Sequence, residues 1–304
     1  MIPAKVVDFF AHRCGARDQL VAEREVVLSY ALHLLWERGV CERLAFKGGT
    51  ALRKLVFGAG GRFSEDLDFT LCSGERDDAA IAIVEALDGR EHHGITFAMP
   101  EEDLYETDDS FGAIVRYRHA WNASGSFKLQ VSIRETPTLA IIARRHLEQP
   151  YFDALEFGAP PAVPALDPIE MVAEKVRAAF QRVKVRDVYD LHLFATLDGT
   201  KGFDVELLRG LVVLKLWQAR DPFDASVLFE KLHGGTYDWH ELERLLPPGK
   251  RVDKRDVTES IERRMGELRA LTELEKRVVA DSSSGWNDAL ADELRAAIRE
   301  RANL

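Results

Sequence analysis

Phe46-Lys47-Gly48-Gly49-Thr50-Ala51-Leu52 is followed, after a short gap, by Arg62-Phe63-Ser64-Glu65-Asp66-Leu67-Asp68-Phe69. The first block is a glycine turn that opens a helix. The second reads as a strand over 64–71. Successive side chains of a strand point to opposite faces. Ser64, Asp66 and Asp68 then share one face, and Leu67 and Phe69 take the other. The apolar face can rest on a core while two carboxylates point outward together. Two like charges so close repel unless a cation lies between them. A hard divalent ion with oxygen ligands, such as Mg²⁺, suits them. Glycines let a backbone approach a ligand closely, and helix-start N–H groups suit phosphate. A carboxylate pair beside a phosphate cradle is the minimum apparatus for phosphoryl or nucleotidyl transfer. Taken alone, Asp-x-Asp is more often a solvated edge strand. The glycine turn placed before it is what favours chemistry.

Outward from this stretch, the chain is organised in two parts. Before it, residues 4–13 and 18–38 read as helices, with Gly39 as a stop. A short strand, Leu44-Ala45-Phe46, leads into the turn, and Thr50 to Phe57 continues as a helix. Gly58-Ala59-Gly60-Gly61 lacks the Gly-Lys-[Ser/Thr] ending of a phosphate loop and reads as a flexible connection. After the carboxylates come a helix over 77–87 and a short strand over 95–99. The acidic run Glu101 to Asp109 reads as an exposed loop. Strands over 113–119 and 127–134 are joined by a turn at Asn122-Ala123-Ser124-Gly125. The expected sheet has about four or five strands. Five prolines between 150 and 168 mark a linker or an extended crossing. Beyond it the pattern is helical: 170–183, 186–197, 203–219, 224–232, 238–246, 256–279 and 287–301. The first of these has Asp167 as N-cap, Pro168 at its first position and Glu170 at its third. The expected domains are 1–155 and 156–304.

Composition narrows the class. Of 304 residues, 46% are hydrophobic and 30% charged, which describes a globular chain with a sizeable core. No apolar run has the length of a membrane span, and the first residues lack the apolar centre of a signal peptide. Cys14, Cys41 and Cys72 form neither a metal spacing nor an even disulfide set. The expected compartment is the cytoplasm. A net charge of −10 argues against sequence-blind coating of nucleic acid, and suits a small-molecule substrate or a basic partner.

A third set of residues lies beyond the linker. Lys175, Arg182 and Arg186 fall on one face at helical period. Asp187 and Asp190 follow at once. Two readings stand: a cationic face for substrate, or an internal salt-bridge motif at a helix junction, with Val183-Lys184-Val185 as the break. The nine histidines are scattered, with no pair at zinc-helix spacing, and read as structural or surface residues.

These blocks together resemble a family. Phe46–Leu52, Arg62–Phe69, and the later Ala173-Glu174-Lys175 with Arg186-Asp187-Val188-Tyr189-Asp190-Leu191 match the AbiEii/MenT nucleotidyltransferase toxins in order and spacing. The match spans roughly residues 46 to 191, so the last third contributes only its helical character. The resemblance implies an α+β fold: a polymerase-β-like nucleotidyltransferase core, a mixed sheet flanked by helices, then a helical C-terminal domain. It implies a toxin of a bacterial toxin–antitoxin or phage-defence system, with a cognate antitoxin protein as partner. The implied activity is Mg²⁺-dependent transfer of a nucleotide from an NTP to the 3′ acceptor end of tRNA. Acceptors of small-molecule or protein type are the alternatives, and a catalytically silent interaction module is a further one. Carried onto this sequence, Asp66 and Asp68 bind the metal. Lys47, Gly48, Gly49, Thr50 and Ser64, with Arg182 and Arg186, are the nucleotide-binding candidates. Lys175, Asp187 and Asp190 complete the catalytic set from the helical domain. One position departs from the pattern. The strand Phe127–Ile133 offers Gln130 where many polymerase-β-like enzymes carry a third carboxylate, leaving Asp187, Asp190 or Glu135 to take its place, or the nucleophile to be activated otherwise.

Overall fold

The computed structural model describes residues 18–197, 204–247 and 249–303. The helix expected over 4–13 lies outside the described residues. By its internal contacts the chain forms two units. One comprises Met1–Pro137, Ile141–Leu166 and Glu243–Lys250; the other comprises Thr138–Ala140, Asp167–Leu242 and Arg251–Leu304. The fold is mixed α+β, with a helical C-terminal region. Among the described residues no helix is long and apolar enough to cross a membrane.

In the first unit, the Asp18 carboxylate accepts from the Leu20 N–H and starts helix α1 (Gln19–Glu37). This helix is buried nearly all round, Glu23 and Glu25 included. Gly39, at φ +73°, ends it and leads to β1 (Leu44–Lys47). Next come α2 (Gly48–Ala51), which continues as a wider π-type helix over Leu52–Phe57, and β2 (Asp66–Leu71). Helix α3 (Arg76–Leu87) and strands β3 (Glu91–His92) and β4 (Ile95–Ala98) follow. Then come β5 (Leu104–Thr107), β6 (Ser110–His119), β7 (Asn122–Ser132), β8 (Ile142–Arg144) and β9 (Val163–Ala165).

Among the described residues these make one nine-stranded sheet, in the order β3-β4-β6-β7-β2-β1-β9-β8, with β5 on β6. Strand β2 runs antiparallel to β1 and parallel to β7. Along β6 and β7 buried side chains alternate with more exposed ones, so one face of the sheet holds the core. On β1 and β2, Phe46 and Phe69 pair across the strands with ring centroids 5.3 Å apart.

The sheet differs from the expected one in its added strands β3, β5, β8 and β9 and in its hairpin turn. The acidic run read as a loop contains β5, because its backbone pairs with β6 from Leu104↔Ala113 to Thr107↔Ser110 while Glu106 stays exposed. The hairpin turn is Ala120-Trp121 rather than 122–125. Gly125 instead lies inside β7, where the Tyr117 ring would come within 2.1 Å of any Cβ. Part of the proline-rich crossing is β9, which pairs with β1 and β8. The sheet therefore has more strands than expected. Strands of two to four residues are too short to show a period.

The second unit holds α4 (Pro168–Gln181), α5 (Val185–Ala195), α6 (Val205–Gln218), α7 (Ala225–Gly234), α9 (Lys254–Met265), α10 (Glu273–Asp281) and α11 (Asp288–Ala302), with α8 (Trp239–Glu243) at its margin. Eleven of the fourteen residues of α6 are buried. The helix expected over 256–279 is two helices. Met265 and Leu268 continue the buried stripe of Val257 and Ile261, and α10 then begins afresh with a capping box of Thr272 and Glu275.

Candidate functional site

Pairing in the first unit sets the geometry of the opening stretch. Lys47 on β1 lies opposite Asp68 on β2. On the other side of β2, Asp66 pairs with Lys128 and Asp68 with Gln130 of β7. Leu67 and Phe69 are buried, while Asp66 and Asp68 stay half-buried on the opposite face. Ser64 lies before the strand rather than in it, and it is buried.

The glycine turn is fitted to this face. Gly48 has φ +79°, and a Cβ there would sit 2.3 Å from Asp68 Oδ2. Conformation and space both require glycine. A Cβ on Gly49 would meet the Arg62 guanidinium at 2.6 Å and the Ser64 hydroxyl at 2.9 Å. The Thr50 hydroxyl donates to the Asp66 carbonyl and ties the turn to β2. Gly48→Ala is expected to lower unfolding free energy by about 2–4 kcal/mol, from left-handed strain and overpacking together. Urea denaturation should show a lower midpoint at unchanged slope. Gly60→Ala is the control, because nothing lies within 4 Å of the carbon it adds.

Behind the turn lies a buried charge network. Glu25 on α1 is held by Lys54 Nζ at 2.9 Å and by Arg53 Nε at 3.1 Å. Tyr151 Oη donates to the same carboxylate at 3.0 Å. Arg53 and Lys54 sit in the π-type helix that continues α2, so this network fixes the helix the turn opens.

Three further residues face the carboxylates or their cradle, and the sequence reading did not assign them roles. The Tyr105 phenol on β5 is pushed well above its ordinary range, by burial first and then by the negative charges of Asp68 and Asp66. Lys128 Nζ lies 5.1 Å from the Tyr105 ring centroid and donates to Gln130 Oε1 at 2.7 Å. The position beside Asp68 is thus an amide tied to a lysine, which cannot act as a base. Arg62, buried against Gly49, is the third. Lys128 was readable as the same-face neighbour of Gln130. Tyr105 was hidden by the misread loop.

In the second unit, Lys175 comes from α4, and Asp187 and Asp190 from α5. The two helices break at 182–184, where the valine-rich run suggested a break. Lys175 Nζ is 3.0 Å from Asp187 Oδ1 and 2.9 Å from Asp190 Oδ2. Arg182 Nε lies 2.9 Å from Asp187 Oδ2. Burial acts to raise Asp187, but Lys175 and Arg182 outweigh it and hold it down at about 2. Arg186 turns instead to Glu241, at 3.0 Å. The structure therefore gathers Lys175, Arg182, Asp187 and Asp190 into one ion-pair cluster and leaves Arg186 out of it.

Comparison with known proteins adds the following. Residues 31–297 match the family described as nucleotidyl transferase AbiEii toxin, type IV toxin–antitoxin system. Among solved structures, MenT4, a nucleotidyltransferase toxin from Mycobacterium tuberculosis H37Rv, superposes with a TM-score of 0.79 at 24% identity, over 98% of this chain and 100% of that one. JHP933 from Helicobacter pylori gives 0.50 at 18% identity, over 86% and 97%. No curated protein sequence matches.

Proposed function

The chain belongs to the AbiEii nucleotidyltransferase toxin family of type IV toxin–antitoxin systems, and from that premise we propose that it transfers a nucleotide from an NTP to the 3′ acceptor end of tRNA, using Asp66 and Asp68 as a metal-binding pair. The observation that carries this reading is the placement of both carboxylates on one face of β2, against the Gly48–Gly49 turn.

The donor set suits a hard divalent cation such as Mg²⁺. Two carboxylates share a partly solvated face, and their combined negative charge reaches the Tyr105 phenol. Asp66 and Asp68 would hold such an ion, which would supply charge neutralisation for the triphosphate. The chain's own contribution is cationic and positional. Lys47, Gly48, Gly49, Thr50 and Ser64 line the triphosphate. Lys175, oriented by Asp187 and Asp190, is the proposed contact to nucleotide phosphate, with Arg182 beside it on Asp187, whereas Arg186, paired with Glu241, lies outside that cluster. Asp187, held at about 2, is a weak base at neutral pH. Its role, shared with Asp190, is to orient Lys175, which leaves Glu135 as the candidate for deprotonation of the acceptor. A cytoplasmic setting and a cognate antitoxin complete the proposal.

A second reading, a small-molecule acceptor, is favoured by the net charge of −10. Incubation with each of four labelled NTPs and total RNA separates them. Label in full-length tRNA from one NTP is the expected result. Label confined to small molecules or protein would move the proposal to another acceptor. The absence of both transfer and metal-dependent NTP binding would reduce the chain to a silent interaction module.

A further inference from the structure

A second cluster of metal-ligating side chains lies at the far edge of the sheet. His33 sits in the second-last turn of α1. His92 ends β3, and His93 follows it in the two-residue turn to β4. One ring nitrogen from each histidine falls within 4.8 Å of the other two. His33 Nδ1 and His92 Nε2 are already 2.9 Å apart. We propose that His33, His92 and His93 form a transition-metal site of the zinc type, which braces α1 against the β3–β4 hairpin. Strand β3 lies four places from β2 in the sheet, about 19 Å at ordinary strand spacing. The site is thus separate from Asp66 and Asp68, and its existence does not depend on the proposed transfer reaction.

Three features favour ligation over mere aromatic packing. The first is convergence of the nitrogens. A tetrahedral zinc with Zn–N of about 2.0–2.1 Å places its donors about 3.4 Å apart, so the rings need only small rotations. Packing through faces is satisfied separately, by Phe157 stacked on His33 at 3.9 Å. The second is a carboxylate beside each of two rings. Glu156 Oε2 lies 2.8 Å from His93 Nδ1, and Glu37 Oε2 lies 3.8 Å from His92 Nδ1. A carboxylate on the nitrogen turned away from the metal is the usual arrangement that fixes ring orientation and raises ligand basicity. The third is the turn. His93 and Gly94 have φ of +49° and +78°, a type I′ geometry in which Asn, Asp or Gly is preferred. Turn chemistry does not ask for histidine there. His93 remains partly exposed, which leaves room for water as a fourth ligand.

The test uses the full chain, stripped with chelator and titrated with Co²⁺ as an optical probe, then with Zn²⁺ in competition. The background carries Asp66→Asn and Asp68→Asn, so that the carboxylate pair cannot supply the signal. The expected result is one Co²⁺ per chain with a tetrahedral visible band, displaced by Zn²⁺, and an unfolding midpoint raised by Zn²⁺. His92→Gln should abolish the band, and Glu156→Gln should weaken binding by about 10–100-fold. If His92→Gln unfolds, His93→Gln at the exposed turn replaces it. No band in the background, or equal affinity in the histidine variants, overturns the site and leaves an aromatic cluster.

Discussion

Asp68→Ala is expected to lower nucleotidyl transfer by about 10³-fold or more while leaving the chain folded. Loss of one of two carboxylates that hold a divalent cation removes several kcal/mol of charge stabilisation in the transition state; about 4 kcal/mol corresponds to three factors of ten. Asp68 is half-buried rather than core. Asp68→Asn, which keeps its size and hydrogen-bonding capacity, should lose transfer likewise, and its urea midpoint separates loss of chemistry from loss of fold. Induced expression of either variant should no longer arrest growth. Lys175→Ala should also abolish transfer, but it is the less clean test. It takes from Asp187 and Asp190, each 2% exposed, the cation they share, although Asp187 keeps Arg182. Its loss of activity would be mixed with loss of stability. Full transfer and full toxicity in these variants would remove the basis for the proposed site.

The parts of this site that were legible in the sequence are those carried by short local rules. Period two over Asp66–Phe69 separates carboxylates from core residues, and Gly48 is required by a conformation and a contact that both act within the stretch. Asp167, Pro168 and Glu170 announce the start of α4 in the same way, with the Asp167 carboxylate accepting from the Ile169 N–H. What was not legible depends on pairing between distant segments. Tyr105 reaches the carboxylates only because β5 adds to β6, and no periodicity in a four-residue acidic strand predicts that. Side-chain direction was equally hidden. Lys175, Arg182 and Arg186 share a face on an uninterrupted helix, but the break at 182–184 sends Arg186 to Glu241 and gathers the other two on Asp187. The three histidines escape sequence rules for the same reason, since His33 and His92 are 59 positions apart.

Glu25→Ala should lower stability by about 3–5 kcal/mol out of a total of about 5–15. The carboxylate is fully buried and serves two cations, Arg53 and Lys54, each 1% exposed. Burial alone would raise Glu25 toward its neutral form, but the charges of Lys54 and Arg53 hold it below its ordinary value of 4.5. One anion shared between two cations leaves Lys54 itself depressed by burial. Deleting the anion leaves two buried positive charges with only neutral partners: Ser29 and Tyr151 hydroxyls for Lys54, the Gly61 carbonyl and the Phe63 ring for Arg53. Because the folded value is lowered, Glu25 stabilises the parent chain fully above about pH 4.5, and that contribution fades as pH falls below it. The variant should therefore show a flatter acid limb as well as a lower urea midpoint at pH 7. A double replacement, Glu25→Leu with Lys54→Met, should recover only part of the loss, since the apolar pair needs no compensation but Arg53 stays buried without its anion. Transfer activity offers an independent check. Glu25 touches no residue of the proposed triphosphate cradle directly, but it anchors the helix that Gly48 opens, so activity per folded molecule should fall in Glu25→Ala and return in the double variant. A urea midpoint unchanged in Glu25→Ala would mean that the helix after the glycine turn is held by packing alone.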